Sequence, residues 1–227
     1  MTPRERYLAD LARGDMRADT DQARAVDQLQ QLYENLLHPP APGGWWSRLL
    51  RRPRRPVRGL YLWGGPGRGK TYLVDSFFEC LPRSDKQRVH FHRFMQDVHA
   101  RLRTMSRTRN PLQVIGRRMA ERTRVLCLDE FLVQDIGDAM LLAGLLQSLF
   151  SAGVTLVMTS NTAPDELYLE GLQRDRFLPA IDLLKAHTQI VHLDSACDFR
   201  CELLDHSGTY HVIDSVAGAA MLGRHFR

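Results

Sequence analysis

The chain has 227 residues, 44% of them hydrophobic, with four cysteines and a formal net charge of +5. That length suits one or two domains with one proper core. No run of about 20 apolar residues exists, and no apolar stretch follows the charged start Met1-Thr2-Pro3-Arg4-Glu5-Arg6, so neither a membrane helix nor a secretory leader is expected and the chain reads as cytoplasmic. Cys80, Cys127, Cys197 and Cys201 show no CxxC spacing and read as reduced thiols, neither a disulfide framework nor a zinc site.

Residues 4–37 read as helical with a break near Gly14. Asp19-Thr20 offers the cap of a second helix whose apolar positions include Ala25, Val26, Leu29, Leu32, Leu36 and Leu37, and which should pack beside the domain that follows. From His38 to Arg58 the composition turns to Pro, Gly, Trp and Arg, as expected of an exposed loop. Arg48, Arg51, Arg52, Arg54, Arg55 and Arg58 lie there with no acid between them; without these six the chain has 25 basic against 26 acidic residues. Basicity is therefore one local segment rather than a whole face. With Trp45-Trp46 beside it, Trp45 to Arg58 could meet an anionic membrane surface, nucleic acid or an acidic protein tail, or it could be a plain linker.

Five strand candidates follow: Gly59 to Trp63, Arg88 to Phe94, Arg124 to Asp129, Val154 to Thr159 and Gln189 to Leu193. Helical stretches separate them at Thr71 to Cys80, Met95 to Thr104, Pro111 to Glu121, Ile136 to Ser151, and Pro164 to Leu172 running on through Pro179 to Ala186. The alternation predicts an α/β fold, a five-stranded parallel sheet with helices on both faces. Phe199 to Leu204 and Tyr210 to Ile213 could form a short hairpin. The chain thus divides into an N-terminal helical segment (1–37), the Pro/Trp/Arg-rich loop (38–58), a nucleotide-binding domain (59–194) and a C-terminal extension (195–227).

The first strand runs into Gly64-Gly65-Pro66-Gly67-Arg68-Gly69-Lys70-Thr71, the GxxxxGK[ST] form of a phosphate-binding loop. Glycines let successive backbone N–H groups converge on phosphate oxygens. Lys70 brings a point charge to the β- and γ-phosphates. Thr71 offers a hydroxyl to Mg²⁺, and the helix that starts here adds its positive end. Lysine occurs only at positions 70, 86 and 185, so its presence in the loop is not a product of composition. A nucleoside triphosphate is the expected ligand.

The third strand ends in Asp129-Glu130, the form of a Walker B element, where Asp129 can serve Mg²⁺ and Glu130 can polarise the attacking water. The fourth ends in Ser160-Asn161, and Asn161 there can reach between γ-phosphate and water, the sensor position of AAA+ ATPases. Arg174 and Arg176 precede Phe177-Leu178-Pro179, where ring ATPases carry arginines that reach a neighbouring subunit's γ-phosphate. Arg176 is favoured, with Arg174 close behind; a local salt bridge to Asp175 or Asp182 is the alternative. His90 and His92 fall on one face of a strand, but no third metal ligand is evident and structural histidines are favoured.

These motifs sit inside longer wording: Arg58 to Gly65, His90-Phe91-His92-Arg93-Phe94-Met95 with His99, Leu128-Asp129-Glu130-Phe131 with Asp135-Ile136 and Asp138-Ala139-Met140, Thr159-Ser160-Asn161, Pro164, Leu167-Tyr168, and Gly171 to Arg174 leading to Arg176 to Ile181. On these stretches nearly the whole chain resembles the ZapE-like family of P-loop ATPases, bacterial cell-division proteins with a mitochondrial inner-membrane branch. The resemblance implies an AAA+-type domain, ATP and Mg²⁺ as cofactors, ATP hydrolysis, and action on the division polymer FtsZ in the cytoplasm or at the division site. It also implies self-association through a trans arginine, and a C-terminal helical lid that the sequence up to Arg227 lacks. The alternatives are a nucleotide-gated binding module with little hydrolysis and a DNA-acting ATPase of the helicase-loader type.

Overall fold

Thr2 opens the first helix, α1 (Pro3–Arg13), with a reciprocal cap: the Thr2 hydroxyl accepts from the Glu5 N–H and the Glu5 carboxylate accepts from the Thr2 N–H. Gly14 closes the helix in the left-handed region at φ 78°. Asp19 then caps α2 (Thr20–Leu37), accepting from the N–H groups of Asp21 and Gln22 at 2.9 and 2.8 Å. In a computed structural model of the protein, residues 1–14, 16, 18–38, 57–105 and 108–194 are described. The hairpin expected beyond Phe199, Cys197 and Cys201, and all of the Trp45 to Arg58 segment except Val57 and Arg58 lie outside them.

The strands are β1 (Gly59–Trp63), β2 (Lys86–His90), β3 (Val125–Asp129), β4 (Thr155–Ser160) and β5 (Thr188–His192). They form one parallel sheet in the order β2-β3-β4-β1-β5. Between them run α3 (Lys70–Cys80), α4 (Phe91–Thr104), α5 (Pro111–Ala120), α6 (Ile136–Ser151) and α7 (Leu178–His187). Strand alternation sends side chains to opposite faces. Leu60, Leu62, Val125, Cys127 and Val157 pack with α1, α2 and α3 through Tyr7, Leu29, Leu73 and Phe77. Tyr61, Leu126, Leu128, Leu156 and Met158 pack on the other face with α4 to α7. The expected packing of α2 beside the nucleotide domain is therefore seen: the N-terminal helices help cover one face of the sheet. Burial pushes the Cys127 thiol up to about 12, in keeping with an inert reduced cysteine.

Two expectations are corrected. The strand read as Arg88 to Phe94 ends at His90, and Phe91 already belongs to α4. Val89 and Phe91 alternate like strand residues, but Phe91, Phe94, Met95 and Val98 are all buried, and their spacing of three, four and seven is that of one helix face. His90 and His92 thus do not share a strand face. The continuous helix expected from Pro164 is instead two short 3₁₀ turns, Pro164–Glu166 and Arg174–Arg176, before α7.

His187 at the end of α7 stacks on Phe150 of α6, ring centres 4.1 Å apart, and its burial lowers its pKa from 6.5. A histidine held neutral in the fold contributes fully above its unfolded pKa and loses that contribution as pH falls. The urea midpoint should therefore decline as pH drops below 6.5, and His187→Phe should flatten that decline. An identical pH profile in the variant would remove this assignment.

Candidate functional site

β1 delivers the chain to Gly64, whose N–H donates to the Ser160 carbonyl at 3.3 Å. Gly64 has φ 151°, and a Cβ there would stand 2.2 Å from the Leu193 carbonyl oxygen, so glycine is required at this close approach. Gly69 enters α3 in the left-handed region with no side-chain cap, which leaves the first-turn N–H groups to an anion. Lys70 is buried, and its Nζ donates to the carbonyls of Gly64 and Gly65, both at 2.6 Å. The ammonium therefore lies curled against its own loop, where phosphate oxygens would replace carbonyls as acceptors.

The opposite wall comes from the ends of β3 and β4, which are stitched together. Glu130 N–H donates to Thr159 Oγ at 3.1 Å, Phe131 N–H to the Thr159 carbonyl at 2.7 Å, and Ser160 Oγ–H to the Phe131 carbonyl at 2.7 Å. These bonds hold Glu130 at φ 56°, a left-handed conformation uncommon for glutamate. Its side chain is 81% exposed, and His90 Nδ1 lies 3.7 Å from its carboxylate. Loop and wall enclose a cleft of about 310 Å³ lined by residues 66–72, Glu130, Thr159, Ser160 and Asn161. Pro66 to Thr71, Glu130 and Asn161 thus meet in one place.

Asp129 stands apart from that lining. It is 6% exposed and paired with Arg88 of β2, Nε to Oδ2 at 2.6 Å and Nη2 to Oδ1 at 3.3 Å, while Arg88 also bonds Asp75 of α3. A fork-to-carboxylate pair of this kind fixes the orientation of the acid as well as its charge. Thr71 and Asp129 are hard oxygen donors of the kind Mg²⁺ takes, but only Thr71 lines the cleft, and both Asp129 oxygens accept from Arg88. Arg174 and Arg176 do not line the cleft. Arg174 donates to the Asp165 carbonyl at 2.6 Å, whereas Arg176 is exposed. Arg58, the last of the basic run, donates to the Thr188 carbonyl at 3.2 Å. Among the described residues no cluster of histidine, cysteine and acidic side chains has a metal-binding arrangement.

Three contacts at the site escape sequence reasoning: Arg88 on Asp129, His90 beside Glu130, and Gln22 of α2 against the loop, its Nε2 donating to the Arg68 carbonyl at 3.4 Å. Pairing of β2 with β3 sets His90 opposite Asp129, which brings Arg88 and His90 to the site. Only the register reveals it.

The sequence pattern of the AFG1-like ATPases matches residues 1–227, the whole chain. The chain belongs to that family. Over 215 residues it is 47% identical to the cell division protein ZapE of Escherichia coli, covering 90% of this chain and 57% of the relative. It is 40% identical over 171 residues to lactation elevated protein 1 homolog B of Danio rerio, covering 70% of this chain and 34% of that one. This AFG1-like chain therefore spans little more than half the length of ZapE. Among solved structures, domain III of the Thermotoga maritima replication initiation protein DnaA superposes with a TM-score of 0.55 at 16% identity, over 88% of this chain and 76% of that one, which establishes the shared fold. The AAA+-type α/β architecture expected from the sequence is thus the one observed. No helix among the described residues is long and apolar enough to cross a membrane.

Proposed function

We propose that this chain is the nucleotide-binding and hydrolysing part of an AFG1-like ATPase, using ATP to remodel a protein polymer of the cell-division apparatus, with FtsZ as the expected partner. The observation that carries the reading is the convergence of the phosphate loop, Glu130 and Asn161 on one cleft between the ends of β1, β3 and β4. Gly67 to Thr71 of the loop would hold the phosphates through their backbone N–H groups, with the Lys70 ammonium beside them. Thr71 would hold Mg²⁺ and Asp129, fixed by Arg88, would serve its water shell; the ion would supply positive charge against the phosphates. Glu130 orients and deprotonates the attacking water, and Asn161 contacts the γ-phosphate. Arg176, exposed and outside the cleft of its own chain, is the arginine that would reach a neighbouring copy's γ-phosphate, since Arg174 is held by the Asp165 carbonyl. Self-association would then be part of the mechanism, in the cytoplasm or at the division site.

The test is steady-state phosphate release from ATP, with and without FtsZ polymer, using Lys70→Ala as the blank. Turnover above the blank, raised by polymer, is the expected result. Turnover indifferent to FtsZ would remove the partner, and turnover no greater than the blank would remove the enzyme.

A further inference from the structure

We propose that Gln22 reads the base of the bound nucleotide, its carboxamide taking the N6–H and N7 edge of adenine. The inference rests on the ATP reading above and adds to it the residue that sets base specificity. Gln22 is the third residue of α2 and is 0% exposed. Its Nε2 makes only a long bond, 3.4 Å, to the Arg68 carbonyl, and its Oε1 has no hydrogen-bond partner among the described residues. Buried side-chain acceptors are nearly always satisfied, and a donor that arrives with a ligand at the adjoining loop would satisfy this one. The seat of this carboxamide also depends on the loop itself, because a Cβ at Gly69 would stand 2.7 Å from Nε2.

Gln22 does not itself line the cleft, but it packs against Arg68 and Gly69, which do, and that contact is what brings its carboxamide next to the nucleotide. Glu130 and Asn161 occupy the phosphate side of the cleft, and Tyr72 lines it one residue past Thr71. The Tyr72 hydroxyl is bonded to Asp10 of α1, and Asp21, next to Gln22, accepts from the Asp194 N–H at 3.2 Å, just past β5. The start of α2 is thus pinned beside residues 68–72. A glutamine carboxamide offers one acceptor and one donor, matching the N6 amine and N7 of adenine. Guanine presents O6 and N7, two acceptors, and would leave Oε1 facing an oxygen. Reaching the base requires Gln22 to exchange its long bond to Arg68 for N7, by rotation of its side chain between staggered wells.

Equilibrium binding of ATP, GTP and 7-deaza-ATP to the chain, to Gln22→Ala and to Gln22→Glu separates the possibilities. The unmodified chain should favour ATP over both analogues by about 10- to 100-fold, the discrimination of a bidentate base contact. Gln22→Ala should compress both preferences to near unity. Gln22→Glu, isosteric and still an acceptor, should keep the preference over GTP and lose that over 7-deaza-ATP. Uniform weakening of all three nucleotides in Gln22→Ala would show that Gln22 only packs the loop, and unchanged preferences in both variants would equally overturn base reading. A chain that binds none of the three would instead remove the ATP reading and this inference with it.

Discussion

Glu130→Gln should lower ATP turnover by about 10²–10⁴-fold, the range for loss of a general base, while ATP affinity stays within a few-fold. The substitution changes one oxygen to an amide nitrogen, so shape and reach are kept while the negative charge and the capacity to take a proton are lost. The structure makes the comparison clean. The Glu130 side chain is exposed and packs against nothing in the core, and the backbone N–H to Thr159 that fixes its left-handed conformation is untouched by the change. Thermal stability should therefore match the parent. Phosphate release and equilibrium ATP binding measured on the same preparation decide it: unchanged turnover would remove Glu130 from the chemistry, and lost binding would mean that the residue positions nucleotide instead.

Arg88→Met should destabilise the fold by about 3 kcal/mol, the lower end for breaking a buried ion pair, which corresponds to a fall of roughly 6–12 °C in Tm. The reason is asymmetric. Arg88 serves two acids, Asp129 and Asp75, and the Asp129 side chain is only 8% exposed, so removing the guanidinium strands a carboxylate that water reaches poorly. Pairing Arg88→Met with Asp129→Asn should recover much of the loss, because the stranded charge is then gone, and urea unfolding of the four-member cycle measures the coupling. A single-variant loss below about 1 kcal/mol would show a solvated pair in solution.

Much of the site was legible because its chemistry is written in local backbone demands. Gly64 to Thr71 must be a loop that begins a helix, Asp129-Glu130 must end a buried strand, and Asp19 must cap α2; each follows from a few neighbouring residues. Where two periods competed, local pattern misled: the alternation of Val89 with Phe91 suggested a strand, and only burial of Phe91, Phe94, Met95 and Val98 together under the sheet made it a helix. The run Pro164 to Leu172 failed in another way. Tyr168 and Gln173 take φ of 53° and 58°, which no α-helix accommodates, and these conformations belong to turns that helix-forming composition does not reveal.

The sequence by itself determined the glycine-rich loop that opens α3, the acidic strand end, the polar residue after β4 and the alternating elements that force a parallel sheet, since each depends on residues within a few positions of one another. The tertiary structure alone decided which charges neutralise which and which face the N-terminal helices cover. Arg88 and Asp129 are 41 residues apart, and Gln22 and Arg68 are 46 apart. Such pairs meet only because sheet register and the docking of α2 on the sheet bring them together, and both are outcomes of burying two apolar faces at once rather than of any local preference.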